Sequence, residues 1–319
     1  MKVLFTGASS FTGFWFAQTL CNAGHEVTAT FTRELPDYRG RRAKRVQMLR
    51  TMGESNVPLR CVFSCEFGSE KFLNLLQAEQ YDVLCHHASE VGNYKDPQFN
   101  VLSACEKNTK NISTAAVILQ QQCSRVVLTG TVFEQYEGVG ENTAQAGSAY
   151  GLSKGVSYEI LKFYLQRAGI NIGKIVIPNP FGPYEEERFT SYLMQTWFNH
   201  DTAVVQTPDY VRDNIHVSLL ALVYRYVVEQ CLHQREQIQV FHPSQYVESQ
   251  GAFTKRFASE MRQRLPLACD YQCVIQKDFS EPRIRINTDS ATQYAPDWNE
   301  AVAWDTLAEY YNNVYSQPK

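Results

Sequence analysis

The sequence lacks the features that would take a protein to or across a membrane. No apolar run approaches the roughly 20 residues that a transmembrane helix needs. The first apolar segment, Val3-Leu4-Phe5, has the length of a buried strand, and no signal peptide precedes it. A net charge of -3 leaves no excess of basic residues for nucleic acid or an anionic membrane surface. We therefore expect a cytoplasmic protein that binds neither nucleic acid nor membrane.

The chain also lacks a cysteine framework. Its nine cysteines are scattered and odd in number, which is not the pattern of a disulfide-linked domain. Two pairs, Cys61/Cys65 and Cys269/Cys273, have three residues between them, but no histidine pair at metal-ligand spacing accompanies either. We therefore predict reduced thiols and no bound metal.

Short apolar runs alternate with longer amphipathic stretches, which is typical of βαβ units and of a parallel sheet. The length of 319 residues suits one large α/β domain with a smaller lobe. The predicted strands are residues 2–6, 26–31, 59–63, 82–86, 125–129 and 173–177. The predicted helices are residues 12–23, 69–79, 100–122 and 149–168.

This pattern predicts an α/β fold with a Rossmann-type doubly wound parallel sheet over residues 1–178 and a smaller C-terminal lobe. The turn-forming segment Asn179-Pro180-Phe181-Gly182-Pro183 marks the boundary. We expect residues 179–319 to be mainly a substrate-binding lobe, with segments that return to the sheet. Helices 100–122 and 149–168 are long enough to pair with a second copy, which predicts a homodimer through a four-helix bundle.

A turn containing glycines joins the first strand to the first helix. A dinucleotide-binding turn needs glycine where the backbone bends sharply and where it approaches the pyrophosphate, and N–H groups at the helix start then bind the phosphates. Gly7 and Gly13 occupy two of the three expected glycine positions, and Ser10 stands at the middle one. The alternative is a plain turn, but a strand and a helix flank the motif as the function requires. The predicted cofactor contacts here are Gly7, Ser9, Ser10, Phe11, Thr12 and Gly13.

The end of the second predicted strand has no acidic residue. NAD-dependent enzymes place Asp or Glu there for the ribose hydroxyls, whereas this chain has Phe31-Thr32-Arg33. Arg33, with the basic run from Arg39 to Arg45 behind it, suits a 2′-phosphate, because guanidinium groups bind phosphate through paired, charge-assisted hydrogen bonds. NADP is therefore favoured and NAD stays possible; the alternative is that these residues form a solvated loop. Near the third strand, Glu66 and Phe67 lie where an adenine contact could form.

The segment Tyr150-Gly151-Leu152-Ser153-Lys154 places a phenol and an ammonium group one helical turn apart, on the same side of a helix. A nearby ammonium group lowers the pKa of a phenol, so Tyr150 can pass a proton while a nicotinamide passes a hydride. Tyr158 and Lys162 form a second match to the same spacing. Tyr150 is preferred because it begins its helix after the loop 142–148 and has Ser153 beside the lysine.

Seven landmarks, in order along the chain, resemble the extended short-chain dehydrogenase/reductase family, which contains nucleotide-sugar epimerases, dehydratases and reductases. The landmarks are the glycine turn at 6–13, His87-Ala88-Ser89, Thr109-x-Asn111, Thr129-Gly130-Thr131-Val132-Phe133, Tyr150-x-x-Ser153-Lys154, Asn179-Pro180-Phe181-Gly182-Pro183 and Arg212-Asp213-Asn214-Ile215-His216-Val217. The resemblance covers nearly the whole chain. It implies a homodimer, and it implies nicotinamide-dinucleotide contacts from His87, Ala88, Tyr150, Lys154 and Pro178.

The resemblance also implies roles at a nucleotide-sugar substrate. A threonine hydroxyl beside Tyr150 would hydrogen-bond the substrate oxygen; this is Thr129, or Thr131 if the loop is shifted. The side chains that would hold the sugar nucleotide are Asn179, Arg188, Arg212 and Arg283. As alternatives, Arg212 and Asp213 could form a structural ion pair, and Asn179 could be a turn residue.

Three departures from the family pattern narrow the reaction. Dehydratases of the family have Asp and Glu after the catalytic hydroxyl, where this chain has Gly130 and Thr131, so dehydration is not expected. Enzymes that combine epimerisation with reduction have a cysteine directly after the catalytic hydroxyl and a histidine after the Gly-Pro turn. This chain has Gly130 and Tyr184 at these positions, so epimerisation through deprotonation of a ring carbon is also not expected. The helix asparagine of the family is replaced by Cys105, and Asn108 could substitute for it.

Three functions remain open at this point. The first is an NADP-dependent reductase of a keto group, with C4 as the expected position, on a nucleotide-linked sugar. The second is an NAD-dependent nucleotide-sugar 4-epimerase, which would use the same residues. The third is a dinucleotide-sensing regulator without turnover, which has no need of an intact Tyr150, Lys154 and Thr129 set.

Overall fold

Strands and helices alternate through the first half of the computed structural model, which describes residues 1–319 except 56, 93–95, 97, 123, 232, 234–235 and 317–319. The strands are β1 (Lys2–Thr6), β2 (Glu26–Thr30), β3 (Leu59–Val62), β4 (Val83–His86), β5 (Arg125–Thr131), β6 (Val139–Gly140), β7 (Ile172–Ile177), β8 (Asn179–Phe181), β9 (Ala203–Val205), β10 (Val211–His216), β11 (Ile238–Phe241), β12 (Pro243–Ser244), β13 (Tyr246–Ser249), β14 (Tyr271–Cys273), β15 (Ile284–Ile286) and β16 (Asp289–Ser290). The helices are α1 (Phe11–Asn22), α2 (Gly40–Glu54), α3 (Glu70–Ala78), α4 (Val101–Thr109), α5 (Ile112–Gln121), α6 (Ala149–Arg167), α7 (Phe189–Phe198), α8 (Val217–Cys231), α9 (Gln250–Arg264) and α10 (Glu300–Tyr315).

Within the described residues, seven strands form one sheet in the order β11-β7-β5-β4-β1-β2-β3. The neighbouring strands in this sheet pair in parallel. The chain moves outward from β1 to β3 and then returns to the other side of β1 at β4. In such sheets a ligand binds outside the carboxyl ends of the strands, at the point where the order reverses. The prediction of a Rossmann-type doubly wound sheet is confirmed.

The central sheet is covered on both faces, as parallel sheets are. In β1, Val3 and Phe5 pack into one core layer and Leu4 into the other, because successive side chains of a strand alternate between its faces. Helices α1, α2 and α8 bury their apolar residues in the first layer, and α3, α5 and α6 bury theirs in the second. Each large side chain that is fully buried contributes about 1.5–3 kcal/mol, so the carboxyl ends of the strands are held by two packed layers.

Two helical regions differ from the sequence prediction. The predicted helix 100–122 is broken between α4 and α5, where Asn111 has φ 51°, a left-handed conformation that asparagine tolerates. The Asn111 side chain donates a 2.8 Å hydrogen bond to the Gly68 carbonyl, which holds the break in place. The basic run from Arg39 to Arg45 is also not a loop, because α2 begins at Gly40.

A smaller lobe forms from the chain after β7. Its sheet is centred on β10, which pairs antiparallel with β13 and parallel with β8 and β15. Aromatic side chains from α7, α9 and α10 fill its core, among them Trp197, Phe257 and Trp304. Two later segments return to the central sheet: β11 pairs with β7, and α8 covers one face. Among the described residues, no helix is both long and apolar enough to cross a bilayer.

Candidate active site

The turn between β1 and α1 comes into close contact with the loop after β4. Gly7 has φ 83°, and a Cβ atom there would lie 2.7 Å from the Ala88 nitrogen. A Cβ atom on Gly13 would lie 2.2 Å from the Gly7 carbonyl oxygen, so both positions need glycine. Ser10 caps α1, since its Oγ accepts from Gly13 N at 3.1 Å and donates to Gly7 O at 2.9 Å. Helix geometry leaves the first-turn N–H groups without intrahelical acceptors, which makes this end of α1 a site for an anion. The structure thus brings together the predicted contacts of the turn, Gly7, Ser9, Ser10, Phe11, Thr12 and Gly13.

His87 lies directly behind this turn and joins it to β5. Its Nε2 is 3.0 Å from Ser10 Oγ and 3.1 Å from Thr12 Oγ1, and its Nδ1 is 3.0 Å from Thr129 Oγ1. Burial and then the nearby Lys154 lower the pKa of His87 to about 3, so the ring is neutral and carries one N–H. Whichever nitrogen carries that proton, His87 engages the hydroxyl of Thr129.

Thr129 and Thr131 lie on the same face of β5, and Thr131 is the last residue of that strand. The Thr131 backbone N–H donates to Glu134 Oε1 at 2.8 Å, and its hydroxyl accepts a long bond of 3.5 Å from Phe133 N. The hydroxyl of Thr129 already contacts His87. These contacts favour Thr131, the alternative of the sequence prediction, as the hydroxyl that faces a substrate beyond the end of the strand.

Tyr150 and Lys154 lie on the first two turns of α6. Ser148 caps this helix by accepting a 3.0 Å hydrogen bond from a first-turn N–H group. Tyr150 is half-buried, and the ring of Phe99 packs edge-on against it at 6.2 Å. Burial lowers the pKa of Lys154 to about 8, while Glu134 pulls it in the opposite direction. An ammonium group with a pKa near 8 is charged at neutral pH and can stabilise a phenolate beside it.

The second tyrosine–lysine match lies deeper along α6. Lys174 lies over the Tyr158 ring, with its Nζ 3.7 Å from the ring centroid, and Lys162 forms an ion pair with Glu159. Burial raises the pKa of Tyr158, which makes this phenol a poorer proton donor. The environment therefore favours Tyr150 over Tyr158 as the proton-transfer group.

A small cavity lies beside Lys154, between the central sheet and the helices α4 and α6. Its lining includes Asn108, whose Nδ2 donates to Ser157 Oγ at 3.1 Å. The thiol of Cys105 instead donates to the Ser153 carbonyl and is buried between α4 and α6. Asn108, one turn from Cys105, is thus the amide that lines the cavity together with Lys154.

At the end of β2 the ring of Phe31 is buried and stacks on the ring of Phe63, with 4.9 Å between the ring centroids. Thr32 and Arg33 follow it and are exposed. Lys107, and to a smaller extent Arg33, lower the pKa of Glu90 on the opposite loop. An exposed arginine therefore follows β2 at the place in the chain where NAD-dependent enzymes of this fold have a carboxylate.

The basic run behind Arg33 is largely committed to protein contacts. Arg45 is fully buried and donates to Ser9 O at 3.1 Å and to Tyr184 O at 2.8 Å. Arg41 donates at 2.7 Å to a backbone carbonyl just beyond Tyr184. These two arginines hold α2 against the dinucleotide turn and the Gly-Pro turn. For these two arginines, the alternative of a solvated loop is therefore wrong. The prediction that they help to bind a 2′-phosphate is also wrong, because their guanidinium groups are bound to protein carbonyls.

Glu66 and Phe67 end up in different environments. Glu66 is half-buried and lies 3.8 Å from Lys110 Nζ. The Phe67 ring is buried and stacks on His86 at 3.9 Å, so the ring is not available to an adenine.

Comparison with known sequences shows the family to which this chain belongs. The model of the NAD-dependent epimerase/dehydratase family matches residues 3–240. The chain belongs to this family. It is therefore an enzyme of the extended short-chain dehydrogenase/reductase type, which confirms the resemblance. No curated protein sequence matches the chain.

Solved structures of related enzymes share the fold of this family member. UDP-glucose 4-epimerase from Thermotoga maritima, with UDP-glucose, has 13% identity and a TM-score of 0.73, with 98% of this chain and 99% of that chain covered. UDP-glucose-4-epimerase from Stenotrophomonas maltophila, with NAD and formylated UDP-arabinopyranose, has 17% identity, a TM-score of 0.74 and 99% of both chains covered. dTDP-glucose 4,6-dehydratase from Streptomyces venezuelae has 17% identity and a TM-score of 0.72, with 98% and 97% covered.

The residues predicted to hold a substrate are more scattered in this family member than Tyr150, Lys154 and Thr129. Arg212 donates to three backbone carbonyls, including Pro282 O at 3.0 Å, and pairs with Glu281 at 3.0 Å. The alternative of an Arg212–Asp213 ion pair is wrong, because buried Asp213 accepts backbone N–H groups instead. Asn179, another residue predicted to hold the sugar nucleotide, is half-buried in β8. Pro178, a predicted dinucleotide contact, directly precedes it. The two remaining residues predicted for the sugar nucleotide, Arg188 and Arg283, are exposed.

Sequence reasoning missed Lys174, which lies with Lys154 in the lining of the cavity. A signal was present, because Lys174 is the one charged residue in the otherwise apolar strand Ile172–Ile177. A lysine inside a buried strand needs an acidic partner. The sequence alone does not show that the partners are Glu134 and Glu137.

Proposed function

We propose that this enzyme is an NADP-dependent reductase that acts on the C4 keto group of a nucleotide-linked sugar. The observation that carries the proposal is the end of β2, where buried Phe31 replaces the carboxylate and exposed Arg33 follows it. One charge-assisted pair with a 2′-phosphate contributes about 1.5–3 kcal/mol, which corresponds to a preference of roughly tenfold to hundredfold.

Bound NADPH would supply the hydride. The glycine turn at the start of α1 would hold the pyrophosphate, and Lys154 would hold the ribose and favour the phenolate form of Tyr150. Tyr150 would donate a proton to the carbonyl oxygen as negative charge develops there. Thr131, with Thr129 as the alternative, would donate a hydrogen bond to the same oxygen.

The acidic residues near the site support reduction over dehydration. Glu134 is the nearest glutamate after Thr131, and its two carboxylate oxygens accept from Thr131 N at 2.8 Å and from Lys174 Nζ at 2.7 Å. It is 1% exposed, so it is not available to remove a proton from a sugar carbon in the crevice.

A second candidate is an NAD-dependent nucleotide-sugar 4-epimerase, in which Tyr150 would take and return a proton at the same oxygen. The hydrogen bonds of Arg41 and Arg45 to backbone carbonyls favour the epimerase, because Arg33 would then be without a second arginine from this run at a 2′-phosphate. Two structures of the same fold, both of UDP-sugar 4-epimerases, contain NAD.

Mass spectrometry of dinucleotide released from the purified protein separates the two candidates. Copurified NAD supports the epimerase, and an empty protein that binds NADPH supports the reductase. Arg33→Ala should weaken NADPH binding about tenfold or more and leave NADH binding nearly unchanged. Arg39→Ala is the matched control, since Arg39 is exposed but donates to the Tyr38 carbonyl. Equal weakening of both dinucleotides by Arg33→Ala would remove the main support for the reductase.

A further inference from the structure

A buried lysine under the active site has no role in the reaction described so far. The Lys174 side chain is 2% exposed, and its Nζ lies 2.7 Å from Glu134 Oε2 and 2.6 Å from Glu137 Oε1. Burial lowers the pKa of Lys174, but the two carboxylates outweigh burial and raise it. A Cβ atom on Gly130 would lie 2.7 Å from Lys174 Cε, so the glycine leaves room for the lysine. The cluster is therefore a charged group built into the sheet.

The inner end of this cluster reaches the catalytic lysine. Lys154 and Lys174 both line the same small cavity, together with Thr129, Asn108 and Ser157. The cavity offers about 20 Å³ to the centre of a water molecule. This is enough for one water with several polar partners, which would link the two ammonium groups.

The outer end of the cluster reaches the surface. Glu137 Oε2 lies 2.8 Å from His242 Nε2. The exposed fraction of the side chain rises from 2% for Lys174 to 13% for Glu137 and 29% for His242. The histidine at the cavity itself, His86, has both ring nitrogens engaged inside the core. The Lys174 side of the cavity thus leads, through Glu137, to the partly exposed imidazole of His242.

We propose that Lys174, Glu137 and His242 form a proton path that resupplies Lys154 and Tyr150 while the dinucleotide and substrate fill the crevice. The proposal rests on the proposed reductase function. Reduction of a keto group takes one proton from solvent in every turnover, whereas epimerisation takes none overall.

Each group on the path gains one proton and loses one, and no electrons move along it. Tyr150 gives its phenolic proton to the substrate oxygen and recovers one from Lys154, which takes one from Lys174 through the cavity water. A proton passed from His242 to Glu137 neutralises one of the charges that hold the Lys174 proton, so transfer inward becomes easier. Glu137 then gives this proton to Lys174, 2.6 Å away, and returns to the carboxylate form. His242 then takes a proton from solvent.

The test follows hydride and proton together in one stopped-flow experiment. The reagents are the purified enzyme, NADPH and a 4-keto-6-deoxy sugar linked to UDP or dTDP, with a pH-indicator dye in weak buffer. The unmodified protein should take up one proton per NADPH oxidised. His242→Gln should leave the first hydride transfer unchanged, because Tyr150 supplies the proton for that transfer, but slow proton uptake and later turnovers about tenfold or more. Imidazole added to the solution should restore the rate, which a structural defect would not allow.

Glu137→Gln should show the same defect. If that variant misfolds, His242→Gln keeps the test decisive, because His242 is only partly buried. The matched control is His25→Gln, which removes a similar contact, His25 Nε2 to Glu229 Oε1 at 3.1 Å, in another part of the surface. Normal proton uptake in His242→Gln, or slowing that imidazole does not relieve, would overturn the path. If the unmodified protein interconverts two alcohols without net proton uptake, the reductase itself fails, and the path fails with it.

Discussion

In the proposed reaction, Tyr150 and Lys154, one helical turn apart, share the proton chemistry. Tyr150→Phe removes the proton donor and leaves Lys154 in place, so we expect turnover to fall about 10²- to 10⁴-fold. Dinucleotide affinity should stay nearly unchanged, because the glycine turn and Lys154 remain. Turnover with NADPH and a keto-sugar, together with a fluorescence titration of NADPH, would measure the two effects. Tyr158→Phe is the control, and full activity in Tyr150→Phe or an equal loss in Tyr158→Phe would contradict the assignment.

The two threonines of β5 can be distinguished by the same kind of measurement. Thr131→Val keeps the shape but removes the hydroxyl at the end of the strand, and we expect kcat to fall about 10²- to 10³-fold. Thr129→Val mainly removes the contact with His87, which should cost about 1 kcal/mol of stability and less than tenfold in kcat. Steady-state kinetics and urea unfolding of both variants would show this. The reverse order of the two kcat losses would return the catalytic role to Thr129.

At the scale of elements, we expect dinucleotide binding to depend on the contact between the first turn of α1 and the loop that precedes it. Gly13→Ala would place a Cβ atom 2.2 Å from the Gly7 carbonyl, so the turn must shift. We expect a stability loss of about 1–3 kcal/mol and a loss of NADPH affinity that exceeds tenfold. Thermal unfolding and NADPH titration would measure the two effects.

Gly24→Ala is the matched variant for the turn. Gly24 has φ 83° and open space around its Cβ position, so alanine strains the backbone without touching the dinucleotide turn. It should cost roughly 1 kcal/mol of stability and leave NADPH affinity unchanged. Similar affinity losses in both variants would mean that Gly13 acts through overall stability alone.

At the scale of the whole molecule, the faces of α4, α5 and α6 remain candidates for a dimer interface. Leu102 is 82% exposed, Phe163 54% and Val117 52%, and exposed apolar groups on neighbouring helices favour association. We predict a homodimer at micromolar concentration by light scattering and a monomer for Phe163→Lys. Ile275→Lys is the control, because Ile275 is 88% exposed but lies outside these helices. A monomeric unmodified protein would contradict the prediction.

The sequence by itself determined the features that depend on neighbours along the chain. The order of strands and helices follows from apolar runs and their spacing, which is why β1 to β5 and β7 were predicted within a few residues. The glycine turn and the Tyr150–Lys154 pair are also local, since each lies within a single turn or on two successive turns of one helix. A residue pattern of this kind is sufficient to predict the fold.

Only the tertiary structure decided which distant side chains meet. The contact of His87 with Thr129, the burial of Arg45 behind the dinucleotide turn and the pairing of Lys174 with Glu134 all join separate elements. The break at Asn111 likewise depends on the distant Gly68 carbonyl. Burying a charge is costly unless a partner is present, and only the packing of the strands determines which partner that is. For this reason the sequence predicted a phosphate site at the basic run. In the structure, Arg41 and Arg45 of this run instead bind the turn before α1 and the turn after β8.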